Sequence, residues 1–172
     1  MATLKKVNFQ LTTPYIDMDT RDFDTDVTFD PTKAASFVDG EWVKLGVDHK
    51  IARSTGRCTG GLVMPIFAPR GQGELQALGK CPVLWRGSFE VRTNLLEEDG
   101  IDVGKPVTVV SVADYFGDGQ ARAVLSLADT ADDLIVGWCT RKPAAVTDLM
   151  GWRFMCQIGG FSHVSDGSPF IA

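Results

Sequence analysis

The clearest local constraint in this chain is the pair Asp39-Gly40, set between Phe37-Val38 and Glu41-Trp42-Val43. A two-residue Asp-Gly loop between β-formers suits a type I′ turn, in which both central residues take positive φ. The spacing predicts a β-hairpin at this point. Eighteen glycines in 172 residues carry the same message, because tight turns fit short strands better than long helices.

Further strands follow at short intervals. Leu62 to Phe67 is a short apolar run with Pro65 inside it, as on a sheet edge or at a bulge. Pro82 to Thr93 reads as one long strand or a bent pair. Val83, Trp85, Gly87, Phe89, Val91 and Thr93 share one face of it. Pro106 to Val112 is a continuous β-branched run, the pattern of a buried strand. Ala121 to Leu127, Leu134 to Thr140 and Trp152 to Ile158 complete a set of about nine strands. Only Ala144 to Met150 and Thr32 to Phe37 have room for a helical turn. The fold expected is all-β, a single small β-barrel or sandwich of short antiparallel strands with extended N- and C-terminal arms. Residues 1–36 are expected as the N-terminal arm, 37–158 as the barrel and 159–172 as a C-terminal tail.

Within the N-terminal segment, Leu4, Val7, Phe9 and Leu11 are spaced mostly by two. Phe23, Thr25, Val27 and Phe29 then alternate with aspartates and a threonine. Such a strand has one apolar and one acidic face, and it could lie on its own core or on a neighbouring subunit.

Net charge is −5 at pH 7, and no basic run of five residues occurs, which opposes binding to a phosphate backbone. No stretch approaches the ~18 apolar residues of a membrane span, and Met1 to Gln10 lacks the apolar centre of a signal peptide. Neither a nucleic-acid nor a membrane partner is expected. Cys58, Cys81, Cys139 and Cys156 show no C-x-x-C spacing, so buried reduced thiols are expected rather than a zinc or redox site.

No segment carries a complete signature of catalysis or metal binding. Aligned as an EF-hand, Asp22, Asp24 and Asp26 meet Val27 where glycine is needed and Lys33 where glutamate is needed. Gly100 to Pro106 is one residue short for a phosphate loop, and Pro106 replaces the hydroxyl residue, so it reads as a turn. His49 and His163 have no nucleophile signature nearby. Of the four tryptophans, at least three are expected in the core. No enzyme, catalytic residue, metal or cofactor is expected.

The order of segments resembles the decoration, or cement, proteins of tailed-bacteriophage heads. Phe37 to Leu45 looks like an early DGEW hairpin, and Pro65 to Gly71 like the strand and loop after it. Lys80 to Thr93 looks like a central VLWxGxFE strand, Val103 to Val109 like GxPVxV, and Ile135 to Arg141 like a closing VVGxxTR strand. The likeness covers roughly residues 37 to 156. It implies a homotrimer on the outer capsid surface of a virion, made in the host cytoplasm, whose partners are the major capsid protein and itself.

On the residues alone, the interface is expected in the arms. Leu4, Val7, Phe9, Leu11 and Tyr15 are candidates in the first part. Phe23, Val27 and Phe29 follow, with Phe170 and Ile171 in the tail. Three alternatives stay open: a tail-tube or head–tail connector protein, a flavin-binding small-barrel enzyme using Arg53-Ser54-Thr55-Gly56-Arg57 as its phosphate loop, and a carbohydrate-binding module.

Overall fold

A computed structural model of the chain describes residues 9–11, 17–22, 37–45, 50–53, 56–59, 63–66, 80–145, 147–148 and 150–158. At 9–11, 17–22, 80–82 and 85–86 the description is of the backbone. The described residues are all-β, without a helix. In chain order the strands are β1 (Phe9–Leu11), β2 (Asp17–Asp22), β3 (Trp42–Leu45), β4 (Ile51–Arg53) and β5 (Val63–Pro65). They continue with β6 (Lys80–Thr93), β7 (Pro106–Val112), β8 (Arg122–Leu127), β9 (Gly137–Arg141) and β10 (Trp152–Ile158).

One seven-stranded sheet runs β1-β6-β10-β9-β7-β8, with β2 also on β6, and curls as half of a barrel. A small sheet has the order β4-β3-β5. Pro65 ends β5, an edge strand of the small sheet, where a residue without an N–H is tolerated.

The patterns in the strands explain the layers. In β10, Trp152, Phe154, Cys156 and Ile158 are buried, while Arg153, Met155 and Gln157 face outward. In β6, Phe89, Val91 and Thr93 are buried against the same core. Val83 and Leu84 are both buried, so the first half of β6 is covered on both faces. Gly87 interrupts the strand with φ of 119°. The unbroken apolar run of β7 has a similar cause. Val107 and Val109 enter the main core, while Val110 and Val112 pack on the opposite side with Leu95, Phe116 and Val124.

The Asp39-Gly40 turn is present, but the hairpin expected there is not. Only Gly40 takes positive φ, 81°, and Glu41 N–H donates to the Val38 carbonyl at 3.0 Å, as in a type II turn. Phe37-Val38 forms no strand. The Val38 N–H donates instead to the Glu41 carboxylate at 3.1 Å, so it needs no partner strand. The ladder between β3 and β5 runs on past Trp42 and Pro65: Gly40 N–H donates to the Ile66 carbonyl, and Ile66 N–H to that of Glu41. The actual partners of β3 are β4 and β5. Ala144–Ala145 and the described residues up to Met150 form turns, not a helix.

Backbone contacts among the described residues join the two sheets at two places. Ile66, just after β5, bridges Val83 of β6. Beyond β4, Cys58 N–H donates to Val109 O at 2.8 Å, and Ser111 N–H donates to Gly56 O at 3.2 Å. Leu134 N–H also donates to the Cys58 carbonyl, at 3.0 Å.

The sheet begins inside the segment expected as an arm. Phe9 to Leu11 pair with Thr93 to Val91, and Met18 to Asp22 pair with Leu84 to Lys80. From 11↔91 to 18↔84 is seven residues along either chain, so β1 and β2 share one antiparallel frame on β6.

Candidate functional site

Of the ten residues expected at an interface, Phe9 and Leu11 lie in β1, whose backbone pairs with β6 of the same chain. Leu4, Val7, Tyr15, Phe23, Val27, Phe29, Phe170 and Ile171 lie outside the described residues, as do His49 and His163. Trp42 and Trp152 are in the core and Trp138 is half-buried; the side chain of Trp85 is outside the description. Cys58, Cys139 and Cys156 are buried without a disulfide, and burial pushes the Cys139 and Cys156 thiols up. Among the described residues, no group of three His, Cys, Asp or Glu side chains is placed to hold a metal ion.

What the structure brings together instead are charges. The first cluster is built on Glu41, which follows the Asp-Gly turn and is fully buried. Its Oε1 accepts from Arg53 Nε at 2.7 Å, and Arg122 stands 3.8 Å from Oε2. Arg122, only 2% exposed, donates to Asp118 at 2.8 Å. Phe37 lies under the Arg53 guanidinium and Phe116 under that of Arg122, at 4.8 and 5.5 Å. Burial pushes the Glu41 carboxyl above its ordinary value, against the pull of Arg53 and Arg122. Because β4 carries Arg53 and β8 carries Arg122, the cluster ties the small sheet to the large one.

The second cluster joins residues 76 apart in the chain. Arg57 grips Asp133 with two bonds, Nε to Oδ1 at 2.6 Å and Nη2 to Oδ2 at 2.8 Å. Its Nη2 also reaches the Leu127 carbonyl and Asp129. Asp133 Oδ2 accepts from the backbone N–H of Asp129 and Thr130 at 2.9 and 3.0 Å, which closes the loop after β8. Burial alone would raise this carboxyl; the donors from Arg57 and Thr130 win and hold it at about 2. Arg53 and Arg57, the basic ends of the phosphate-loop candidate, are thus both directed at carboxylates of the chain itself.

A third group lies on the outer face of β6, β10 and β9. Arg153 stands opposite Arg92 on one side and Arg141 on the other. Arg153 pairs with Glu90 at 3.3 Å and Arg141 with Asp148 at 2.7 Å. Met155 is 38% exposed and faces Trp138 across the ladder, with Pro106 beyond it.

Sequence reasoning missed the roles of Glu41, Arg122 and Asp133. One signal was there: Arg122 shares a strand face with Val124, so a charge sits in phase with a buried residue and needs a buried partner. For Asp133 beside Asp132, nothing local separates the buried carboxylate from the exposed one.

Comparison of the chain with family models, with curated proteins and with solved structures finds no match in any of the three.

Proposed function

We propose that this chain is a non-enzymatic structural protein that decorates the outer face of an icosahedral phage head. It binds the major capsid protein there as a homotrimer, and its two sheets make one small barrel. The observation that carries this reading is where the family-like segments fall. The DGEW segment enters β3, the VLWxGxFE segment lies within β6, the GxPVxV segment enters β7 and the VVGxxTR segment ends in β9, while Pro65 to Gly71 begins at the end of β5 and lies mostly outside the described residues. Those in described strands are frame elements of the two sheets, and the charged residues near them tie strands and loops together. Many weak contacts around a shell gain avidity.

The test is copy number in purified particles relative to the major shell protein. About one copy per shell subunit is the expected result. A few copies per particle would replace this role with that of a tail or connector part, and absence from particles would overturn it.

A further inference from the structure

Asp-Gly is a sequence prone to rearrange its own backbone, because glycine has no Cβ to keep the aspartate carboxyl away from the following amide nitrogen. Three such pairs stand among the described residues, Asp39-Gly40, Asp99-Gly100 and Asp118-Gly119, and the fold treats them differently. Gly40 is buried, and its N–H donates to the Ile66 carbonyl at 2.8 Å. The Gly119 N–H donates to Asp114 Oδ1 at 2.6 Å. Asp118 itself accepts from Arg122 at 2.8 Å and from the Gln120 N–H at 3.0 Å. Asp99 and Gly100 are both exposed, at the centre of a turn closed by Ile101 N–H on the Glu98 carbonyl at 3.3 Å. The amide between the central residues of such a turn takes no part in the closing bond. Neither the Asp99 carboxylate nor the Gly100 N–H has a partner among the described residues.

We propose that Asp99-Gly100 is a modification site, at which the folded chain converts its own aspartate to isoaspartate in preference to the other two pairs. The Gly100 nitrogen attacks the side-chain carboxyl carbon of Asp99 in its acid form. A C–N bond forms, the nitrogen gives up its proton, and one carboxyl oxygen leaves as water. The product is a five-membered succinimide. Water then adds to one of the two ring carbonyls, and the exposed turn admits it freely. Addition at the side-chain carbonyl restores aspartate. Addition at the former backbone carbonyl leaves Gly100 linked through the Asp99 side chain. The water lost is regained, and no other reactant is needed. The fold also keeps the reactive pair in place. Gly100 has φ of 70°, and a Cβ there would stand 2.9 Å from Leu127 Cδ2, so other residues are disfavoured. The new linkage puts one more carbon into the backbone beside Ile101, which is 1% exposed in the core. It also presents an exposed α-carboxylate, the group that a carboxyl methyltransferase specific for isoaspartate recognises. The site is independent of what the chain binds.

Prolonged incubation of the full chain under native conditions, followed by peptide mapping that locates isoaspartate residue by residue, tests it. Isoaspartate should accumulate at position 99 about tenfold faster, or more, than at 39 or 118, because each of those must first open a hydrogen bond or a buried segment. In denaturant the three rates should converge, since the protecting bonds are gone. Asp166-Gly167 lies outside the described residues, and the map reports it separately. Two substitutions at the exposed Asp99 check the chemistry without disturbing a contact. Asp99→Glu needs a six-membered ring, which closes far more slowly, and should abolish the signal there. Asp99→Asn reaches the same succinimide by losing ammonia and should raise it. Absence of isoaspartate at position 99, equal rates at the three positions in the folded chain, or a gap that persists in denaturant would each overturn the proposal.

Discussion

Glu41 and Asp133 are both carboxylates with no exposed surface, both face arginine, and they behave in opposite ways. Asp133 accepts two bonds from Arg57 and two from backbone N–H groups. Glu41 accepts one from Arg53 and one from Val38, and its second arginine stands off at 3.8 Å. Donors directed at the anion decide the ionisation; burial sets only the penalty that they must overcome. The first carboxylate fixes a loop as an anion, and the second fills a junction between sheets where its charge is costly.

The largest effect separating the two should come from truncation. Glu41→Ala removes the buried carboxylate that stands between Arg53 and Arg122 and opens a cavity. A loss of about 3–5 kcal/mol is expected, measured by denaturant unfolding. Asp133→Ala should cost about 3 kcal/mol, the lower end, because Arg57 is partly exposed and keeps Asp129. Equal losses would break the contrast.

Acid titration comes next. The Asp133 carboxyl titrates near 2 folded and at 3.8 ordinarily, so its contribution is complete above about pH 4 and lost as pH falls toward 2. The size is about 2 kcal/mol, and Asp133→Asn should flatten that limb of a stability–pH curve. Glu41 has the opposite sign. Its folded carboxyl is raised, so its contribution is complete below the ordinary value of 4.5 and is lost as pH rises above it. Glu41→Gln should flatten the rise-with-pH side and cost about 1 kcal/mol at neutral pH, well under the alanine change.

The smallest effect sharpens the comparison from outside. Glu90→Gln removes a carboxylate from a half-buried pair on the open face of β6 and β10. Chemical denaturation should register under about 1 kcal/mol, as for exposed ion pairs in general.

How much of this was legible follows from the range of each interaction. β7 and β10 were readable to the residue, because Pro106 to Val112 and Trp152 to Ile158 carry their patterns within the strand. The hairpin at Asp39-Gly40 was misread because a side chain, Glu41, took the hydrogen bond that a partner strand would have taken. β9 starts at Gly137 rather than Leu134, since Leu134 and Val136 spend their N–H groups on Cys58 and Val107. Gly137 itself has a long-range reason: a Cβ there would stand 2.5 Å from the Met155 carbonyl oxygen. The pairs Arg57–Asp133 and Glu41–Arg122 span most of the barrel segment, and no local pattern encodes a partner so distant.

The frame that β1 and β2 share on β6 also sets an order of events during synthesis. Phe9 pairs with Thr93, a partner made 84 residues later. At ordinary ribosomal speeds the first strand waits on the order of ten seconds before its template exists. During that wait it is an unpaired edge, open to wrong partners. β2 waits in the same way, and Asp17, Asp19 and Asp22, against the single Arg21, give it net negative charge, so two nascent copies repel one another there until β6 emerges with Lys80 and Arg86 at the matching positions.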